Sequence, residues 1–305
     1  MAYTRDSIPD LSGRVAVVTG ANGGLGLETA EALAAKGAHV VMAVRDQDKA
    51  AAAVGRIRAT APDASLELVE LDLGSQASTK RAARDIAARH PSIDILVNNA
   101  GVMASPEGRT IDGFETQMGI DHLGHWTFTA LLLPSLLSAP AARVVTVTST
   151  AHHFGRSIDP RKPYPPGRYQ AWIAYGTAKL ANYHFGLGLH DRLRTAGSRA
   201  QSLIAHPGLS HSDLQLRTVR EGGGGPLAPF FARAASSTGM PPADGAMPQI
   251  RAATDPAAKG GELYGPRFVN NGRPVALAVL RPGRRRAIAR LWEFSERETG
   301  IALDI

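Results

Sequence analysis

Short apolar runs alternate along this chain with longer stretches in which apolar residues recur every three or four positions. The runs at 14–19, 39–44, 66–71, 93–97, 143–148 and 199–205 have the length and β-branched content of strands buried in a sheet. Between them, 27–35, 46–60, 75–90 and 112–138 carry the helical period, and another helix holds 175–182. Strand alternating with helix argues for an α/β architecture: a single doubly wound parallel sheet of the Rossmann type, with helices on both faces. A helix at 244–254, a short strand at 262–264 and a last helix at 287–299 complete the pattern. No linker, repeat or second apolar core interrupts it, so 1–305 reads as a single domain. Residues 209–245 are rich in Gly and Pro and include Leu227, Phe230, Phe231 and Met240. A loop of that length reads as a mobile lid over a substrate, the alternative being an inert surface insertion.

The first strand runs directly into Gly20-Ala21-Asn22-Gly23-Gly24-Leu25-Gly26, and a helix follows, closed by Lys36 and Gly37. In that context Gly20, Asn22, Gly24, Leu25 and Gly26 are candidates to bring backbone N–H groups and a helix N-terminus to a pyrophosphate. A simple tight turn is the bland alternative. The second strand ends at Arg45, with no carboxylate before Asp46. An acidic residue there would suit the ribose hydroxyls of NAD(H), whereas an arginine suits a 2′-phosphate. NADP(H) is therefore expected in preference to NAD(H), unless Arg45 is only a surface residue. The fourth strand ends in Asn98-Asn99-Ala100-Gly101, small residues against which a cofactor can lie at the point where the sheet reverses direction.

Tyr175 and Lys179 are four residues apart and share a helix face. A tyrosine is a poor acid or base at its ordinary pKa of ~10, and lowering it by ~3 units needs roughly 4 kcal/mol of preference for the phenolate. A lysine beside it supplies that kind of interaction, although an ordinary exposed Tyr–Lys pair has the same spacing. Ser149 ends the strand at 143–148, at the edge where open α/β sheets bind ligands; a turn or helix cap is its other reading. His122 and His125 are three apart on the long helix with no third ligand spaced to help, so packing or hydrogen bonding is expected of them and no metal site.

Composition narrows the functional classes. Thirty-four Lys and Arg against 27 Asp and Glu give a net charge of +7, but the arginines are scattered apart from 281–290, where Arg284, Arg285 and Arg286 sit together. There is no basic stripe interleaved with aromatics, so no nucleic-acid partner is expected. The absence of cysteine excludes disulfides and thiol chemistry. The run at 131–137 is too short to span a membrane and is broken by Pro134, and the N-terminus lacks the apolar core of a secretion signal. A cytoplasmic enzyme without integral membrane association is the expectation.

Taken together these residues resemble the short-chain dehydrogenase/reductase family, and in particular its retinol-dehydrogenase-like branch, over about 11–300. The signposts are Thr19-Gly20 with Gly24 and Gly26, Asn98-Asn99-Ala100-Gly101, Ser149, Tyr175 with Lys179, and Pro207-Gly208. The branch is signalled by Asp112-Gly113-Phe114-Glu115-Thr116, His122-Leu123-Gly124-His125, Ala151-His152-His153, Lys179-Leu180-Ala181-Asn182 and the closing Leu291-Trp292. The resemblance implies that Tyr175 is the general acid or base and that Ser149 hydrogen-bonds the same substrate oxygen. It implies that Lys179 holds the nicotinamide ribose and lowers the tyrosine pKa. Asp72 and Leu73 would border the adenine, Asn99, Ala100 and Gly101 the adenine ribose side, Pro207 and Gly208 would also bind the cofactor, and Ser212 would stand for a usual Thr near the carboxamide. One position departs from the family pattern: the Asn expected immediately before His122 is Asp121. An ionised aspartate accepts but does not donate hydrogen bonds, and its charge opposes phenolate formation at Tyr175.

The expected activity is hydride transfer between NADP(H) and an alcohol or carbonyl, with an apolar small-molecule substrate suggested by the lid and Trp172. Two alternatives stand beside it: reduction of a conjugated C=C bond, as in the related protochlorophyllide reductases, and a sensor that binds NADP(H) without turnover. The resemblance also implies pairing into a homodimer or homotetramer through the helices near 112–138 and 170–195.

Overall fold

Along the first strand, Ala16 and Val18 enter one apolar core and Val17 enters another, so the sheet has buried faces on both sides. A computed structural model of the chain describes residues 3–161, 163, 168–210, 218, 223, 239–279 and 284–305. Its sheet comprises β1 (Val15–Thr19), β2 (His39–Val44), β3 (Leu66–Glu70), β4 (Ile95–Asn98), β5 (Arg143–Val147), β6 (Gln201–Ala205), β7 (Leu263–Pro266) and β8 (Pro274–Leu277). Their spatial order is β3-β2-β1-β4-β5-β6-β7-β8. Every pairing through β7 is parallel; β8 adds an antiparallel edge. The order reverses between β1 and β4, which places a crevice at their carboxyl ends.

Helices α1 (Gly24–Ala34), α2 (Gln47–Thr60) and α7 (Pro242–Thr254) cover the face of Ala16, Val18 and Met42. The face of Val17, Val41 and Val144 lies under α3 (Gln76–Arg89), α5 (Gly124–Ser138), α6 (Ala171–Thr195) and α8 (Arg284–Thr299). Asp46 and Ser75 start α2 and α3 by accepting the amides of Lys49 and Ser78, the side-chain capping that short polar residues provide.

Two elements depart from the pattern read in the sequence. The helix expected over 112–138 begins as a single turn, α4 (Thr116–Met118), held by the Glu115 carboxylate on the amides of Gln117 and Met118. It then widens to a π segment, Gly119–Leu123, before α5. Asp112 is not helical; its carboxylate accepts the amide of Gln76 at the start of α3. The edge strand β8 was not expected, because a four-residue strand opening on Pro274 carries almost no periodic signal. Most of the lid expected at 209–245, with Ser212, Leu227, Phe230 and Phe231, lies outside the described residues. Of its described part, Met240 is buried and its amide donates to the Leu209 carbonyl.

Candidate active site

Two hydrogen bonds set the register of α6 against β5. Thr148 Oγ1 donates to the Lys179 carbonyl at 2.7 Å, and Asn182 Nδ2 donates to the Val147 carbonyl at 3.1 Å. They hold Tyr175 and Lys179 over the carboxyl end of the sheet, where the Ser149 side chain comes close enough to the Tyr175 phenol to favour its phenolate. Ser149 Oγ also accepts the Ala151 amide at 3.2 Å as it starts a short 3-10 turn, so its capping and chemical readings coexist. Lys179 Nζ lies 5.6 Å from the centre of the Tyr175 ring.

Asp121 comes to the same place from the π segment. Its Oδ1 accepts the Val102 amide at 2.7 Å, and its Oδ2 faces Lys179 Nζ at 3.0 Å. Both side chains are almost wholly shielded, at 0% and 6% exposure. Gly101 borders the pair: a Cβ there would sit 3.0 Å from Asp121 Oδ1 and 3.1 Å from Lys179 Nζ. A single-turn π bulge at such a point re-aims one side chain without ending the helix.

Burial dominates the electrostatics. It pushes the Tyr175 phenol above its usual value and Asp121 adds to that push, against the opposing effects of Lys179 and Ser149. Burial also raises the Asp121 carboxyl, with Lys179 and the Val102 amide pulling the other way. For Lys179 the sign reverses: burial opposes the ammonium, but Asp121 and then Tyr175 outweigh it, so its pKa ends up raised. At neutral pH the result is an ion pair beside a protonated phenol.

The phosphate loop has the shape its glycines require. Gly20 and Gly24 adopt left-handed φ angles of 67° and 49°. At Gly26 a Cβ would fall 2.2 Å from the Gly20 carbonyl oxygen and 2.6 Å from Asn99 Nδ2, so only glycine closes this turn. Gly20, Asn22, Gly24, Leu25 and Gly26 are thus gathered at the start of α1, where three glycines leave the backbone and a helix N-terminus open to the approach a pyrophosphate needs. Asn22 Nδ2 ties the loop to the Asp46 carbonyl at 3.2 Å. Arg45 is exposed at the end of β2. Asp46, the nearest carboxylate in sequence, is engaged as the cap of α2 and lies 3.8 Å from Lys49 Nζ.

Asp72 and Leu73 follow β3, where Asp72 Oδ1 accepts the Gly74 amide at 2.9 Å and Leu73 is buried. The Asn99 and Ala100 amides both donate to Thr19 Oγ1 at 2.9 Å, and Asn99 Nδ2 donates to the Thr19 carbonyl at 2.8 Å. Pro207 and Gly208 leave β6 in a turn with a left-handed Gly208, whose amide donates to His206 Nδ1 at 3.2 Å. Ser212 lies outside the described residues.

Three further residues belong to this assembly: Thr19 and His125, which entered the sequence reading without a site role, and Gln249, which carried no signal in it. His125 Nδ1 is 2.9 Å from the Asp121 carbonyl, an acceptor only, so this nitrogen holds the proton. Burial keeps the ring neutral, its pKa lowered to about 4. His125 Nε2 therefore accepts, and the Thr19 hydroxyl donates to it at 2.9 Å while receiving the two amides from Asn99 and Ala100. Gln249, on α7, donates to Thr29 Oγ1 at 2.7 Å and to Asn99 Oδ1 at 3.1 Å, fixing the asparagine amide. The polar roles expected for His122 and His125 are found: His122 Nε2 lies 2.9 Å from Ser295 Oγ on α8.

A family model described as short chain dehydrogenase matches residues 14–220. Retinol dehydrogenase 11 of Mus musculus is 42% identical over 204 residues, which cover 67% of this chain and 64% of that protein. Retinol dehydrogenase 12 of Homo sapiens gives the same identity and the same coverage of each chain. The aligned part thus spans about 64% of the length of these curated relatives. Among solved structures, an uncharacterized protein from Mycobacterium paratuberculosis superposes with a TM-score of 0.79 at 38% identity, covering 100% of both chains. A short chain dehydrogenase from Shigella flexneri, complexed with NADP, has a TM-score of 0.64 over 84% of this chain and 98% of its own. At 22% identity that second likeness speaks for the fold alone.

Proposed function

The chain belongs to the short chain dehydrogenase family, and we propose that it is an NADP(H)-dependent oxidoreductase interconverting an alcohol and a carbonyl at Tyr175. The observation that carries this reading is Tyr175 on α6 with Lys179 Nζ 5.6 Å from its ring centre and Ser149 close enough to favour its phenolate, all at the sheet's carboxyl edge. For the cofactor, the support is the pairing of an exposed Arg45 with an Asp46 already used as a helix cap. That leaves a cation, and no free carboxylate from this turn, where the adenosine ribose would sit.

Gly20, Asn22, Gly24, Leu25 and Gly26 would hold the pyrophosphate and Arg45 the 2′-phosphate. Asp72, Leu73, Asn99, Ala100 and Gly101 would border the adenosine, and Lys179 with Pro207, Gly208 and Ser212 the nicotinamide half. When bound, the dinucleotide supplies or accepts the hydride. The chain's own residues handle the proton. Because the phenol's pKa is raised, Tyr175 is protonated at neutral pH, the form that donates to a carbonyl oxygen during reduction. Ser149 would orient that oxygen, and the Lys179 ammonium would stabilise the phenolate left behind. Asp121 holds the ammonium in place and keeps it charged. An apolar aldehyde or ketone is the proposed substrate class, and the cytoplasm the proposed compartment; no helix among the described residues is long and apolar enough to cross a membrane.

A second reading, a sensor that binds NADP(H) without turnover, is favoured by one observation: Asp121 offsets the charge that would otherwise activate Tyr175. Titration with NADPH and NADH, followed by nicotinamide fluorescence, separates the possibilities. NADPH should bind at least about tenfold more tightly. Tyr175→Phe should keep that affinity while losing ~10²–10⁴ of the carbonyl-reduction rate. Equal or reversed cofactor preference overturns the NADP(H) assignment. Tight NADPH binding with no turnover on a panel of aldehydes and ketones supports the sensor instead.

A further inference from the structure

At the end of the sheet opposite the crevice, three side chains from three elements converge. His39 opens β2, and strand alternation puts it on the same face as Val41, which packs with Ala82, Ala83 and Ile86 of α3. Glu67 of β3 pairs in parallel register with Val41 and shares that face. The C-cap of α3 then delivers His90 to the same spot. Glu67 Oε2 accepts from His90 Nε2 at 2.8 Å and from His39 Nε2 at 3.3 Å, and the imidazole and carboxylate ligand atoms all lie within 4.8 Å of one another.

We propose that His39, Glu67 and His90 form a binding site for a zinc-class divalent cation. Two imidazole nitrogens and one carboxylate oxygen are the donor set such cations prefer, with a fourth position left to water. Bond lengths of ~2.0–2.2 Å place neighbouring ligand atoms of a tetrahedral site about 3.4 Å apart; Glu67 Oε2 lies 3.3 Å from His39 Nε2 and 2.8 Å from His90 Nε2.

The surroundings fit the same chemistry. His39 Nδ1 lies 2.7 Å from Ser65 Oγ, so when Nε2 gives its lone pair to a cation the ring proton moves to Nδ1 and the serine oxygen accepts it. Arg89 holds Glu67 Oε1 at 2.7 Å, which orients the carboxylate and leaves Oε2 turned to the histidines. His39, Glu67 and His90 are 30%, 22% and 14% exposed, enough for a cation to enter and keep a water ligand. Arg89 also competes for the carboxylate charge, so an affinity on the order of micromolar is expected rather than that of a closed structural site. The cation would tie the edge strand β3 to β2 and α3, remote from Tyr175. The cluster was invisible as a motif because its members are 28 and 23 residues apart.

The test is calorimetric titration of chelator-treated full-length protein with zinc chloride alone. One equivalent should bind per chain and raise Tm by a few degrees. His39→Ala and His90→Ala should each weaken binding at least about tenfold while leaving the NADPH affinity unchanged. No binding, or equal binding in both variants, overturns the proposal; the latter would mean zinc sits elsewhere, as at His152 and His153. Cobalt(II) loaded into the unmodified protein guards against misfolded variants. Visible absorption of a four-coordinate nitrogen and oxygen site supports the proposal, and a six-coordinate, aquo-like spectrum overturns it.

Discussion

Lys179 Nζ stands 3.0 Å from Asp121 Oδ2, and both side chains are almost wholly shielded from solvent. Two opposite charges removed together from water tolerate each other, but removing one partner strands the other. The pair also neutralises the positive potential that an isolated ammonium would exert on Tyr175. Asp121 is therefore coupled to the tyrosine through Lys179 as well as by its own charge.

Asp121→Asn should consequently lower the pKa of Tyr175. In the alcohol-oxidation direction, where the phenolate is the base, the rising limb of the kcat/KM profile should move toward acid by about one pH unit, equivalent to about 1.4 kcal/mol. Breaking a buried pair destabilises by ~3–5 kcal/mol, so Tm should fall in the same variant. Profiles of the two proteins that superimpose would show that Asp121 does not act on Tyr175.

Two glycines, Gly26 at the phosphate turn and Gly55 within α2, offer a test in which one substitution has opposite signs. In Gly26→Ala the new Cβ would meet the Gly20 carbonyl oxygen at 2.2 Å, so the turn must open. The expected cost is ~1–3 kcal/mol in stability, with at least about a tenfold loss of NADPH affinity. Gly55 sits exposed inside α2, and a Cβ there meets nothing within 4 Å. Gly55→Ala should stabilise by ~0.5–1 kcal/mol and leave cofactor binding alone. Denaturant midpoints and NADPH titrations of both variants check the pair of outcomes.

These contrasts also mark how far the sequence could be read. The first strand and the glycine turn after it were legible because they are written in consecutive residues, from Val15 to Gly26. Tyr175 and Lys179 were legible because the helical period joins them. The π segment at Gly119–Leu123 was not, since one widened turn barely disturbs an apolar pattern. The Thr19–His125 and Asn99–Gln249 contacts link residues 106 and 150 positions apart, and no local rule connects them. Nor does any periodic signal mark the coverage of α5 and α6 by the last helix, which tertiary packing alone decides.

Acid should unfold the protein through its buried histidines. Burial lowers His122 to about 3 and both His125 and His206 to about 4. In the unfolded chain each has an ordinary pKa near 6.5, so below that value the unfolded state binds protons that the native state refuses. Native stability is thus complete above about pH 6.5 and falls progressively as the pH drops toward 4. At pH 5 the loss is about 2 kcal/mol per histidine, comparable for all three with much of a domain's total stability. Urea midpoints should decline steeply from pH 7 to pH 5. A flat profile would mean these rings are charged or solvated in the native state.

The final helix bears on how copies of the chain associate. Trp292 of α8 stacks on Phe185 at 5.7 Å between ring centres and meets Trp126 edge-on at 5.0 Å. Trp126 Nε1 donates to the Ile301 carbonyl at 2.9 Å, and the Arg192 guanidinium lies 3.8 Å from the centre of the Trp292 ring. At Gly188 on α6 a Cβ would come within 2.3 Å of the same indole, so this helix face is shaped for α8. A second copy pairing through α5 and α6 would have to use faces that α8 does not cover, or displace it. Light scattering after size exclusion should give a monomer mass, or an oligomer whose hydrogen-exchange footprint spares α5 and α6. Trp292→Ala should cost ~3–5 kcal/mol and expose the apolar face, turning the protein toward self-association. Protection of α5 and α6 that grows with protein concentration in the unmodified chain would show instead that α8 yields to a partner.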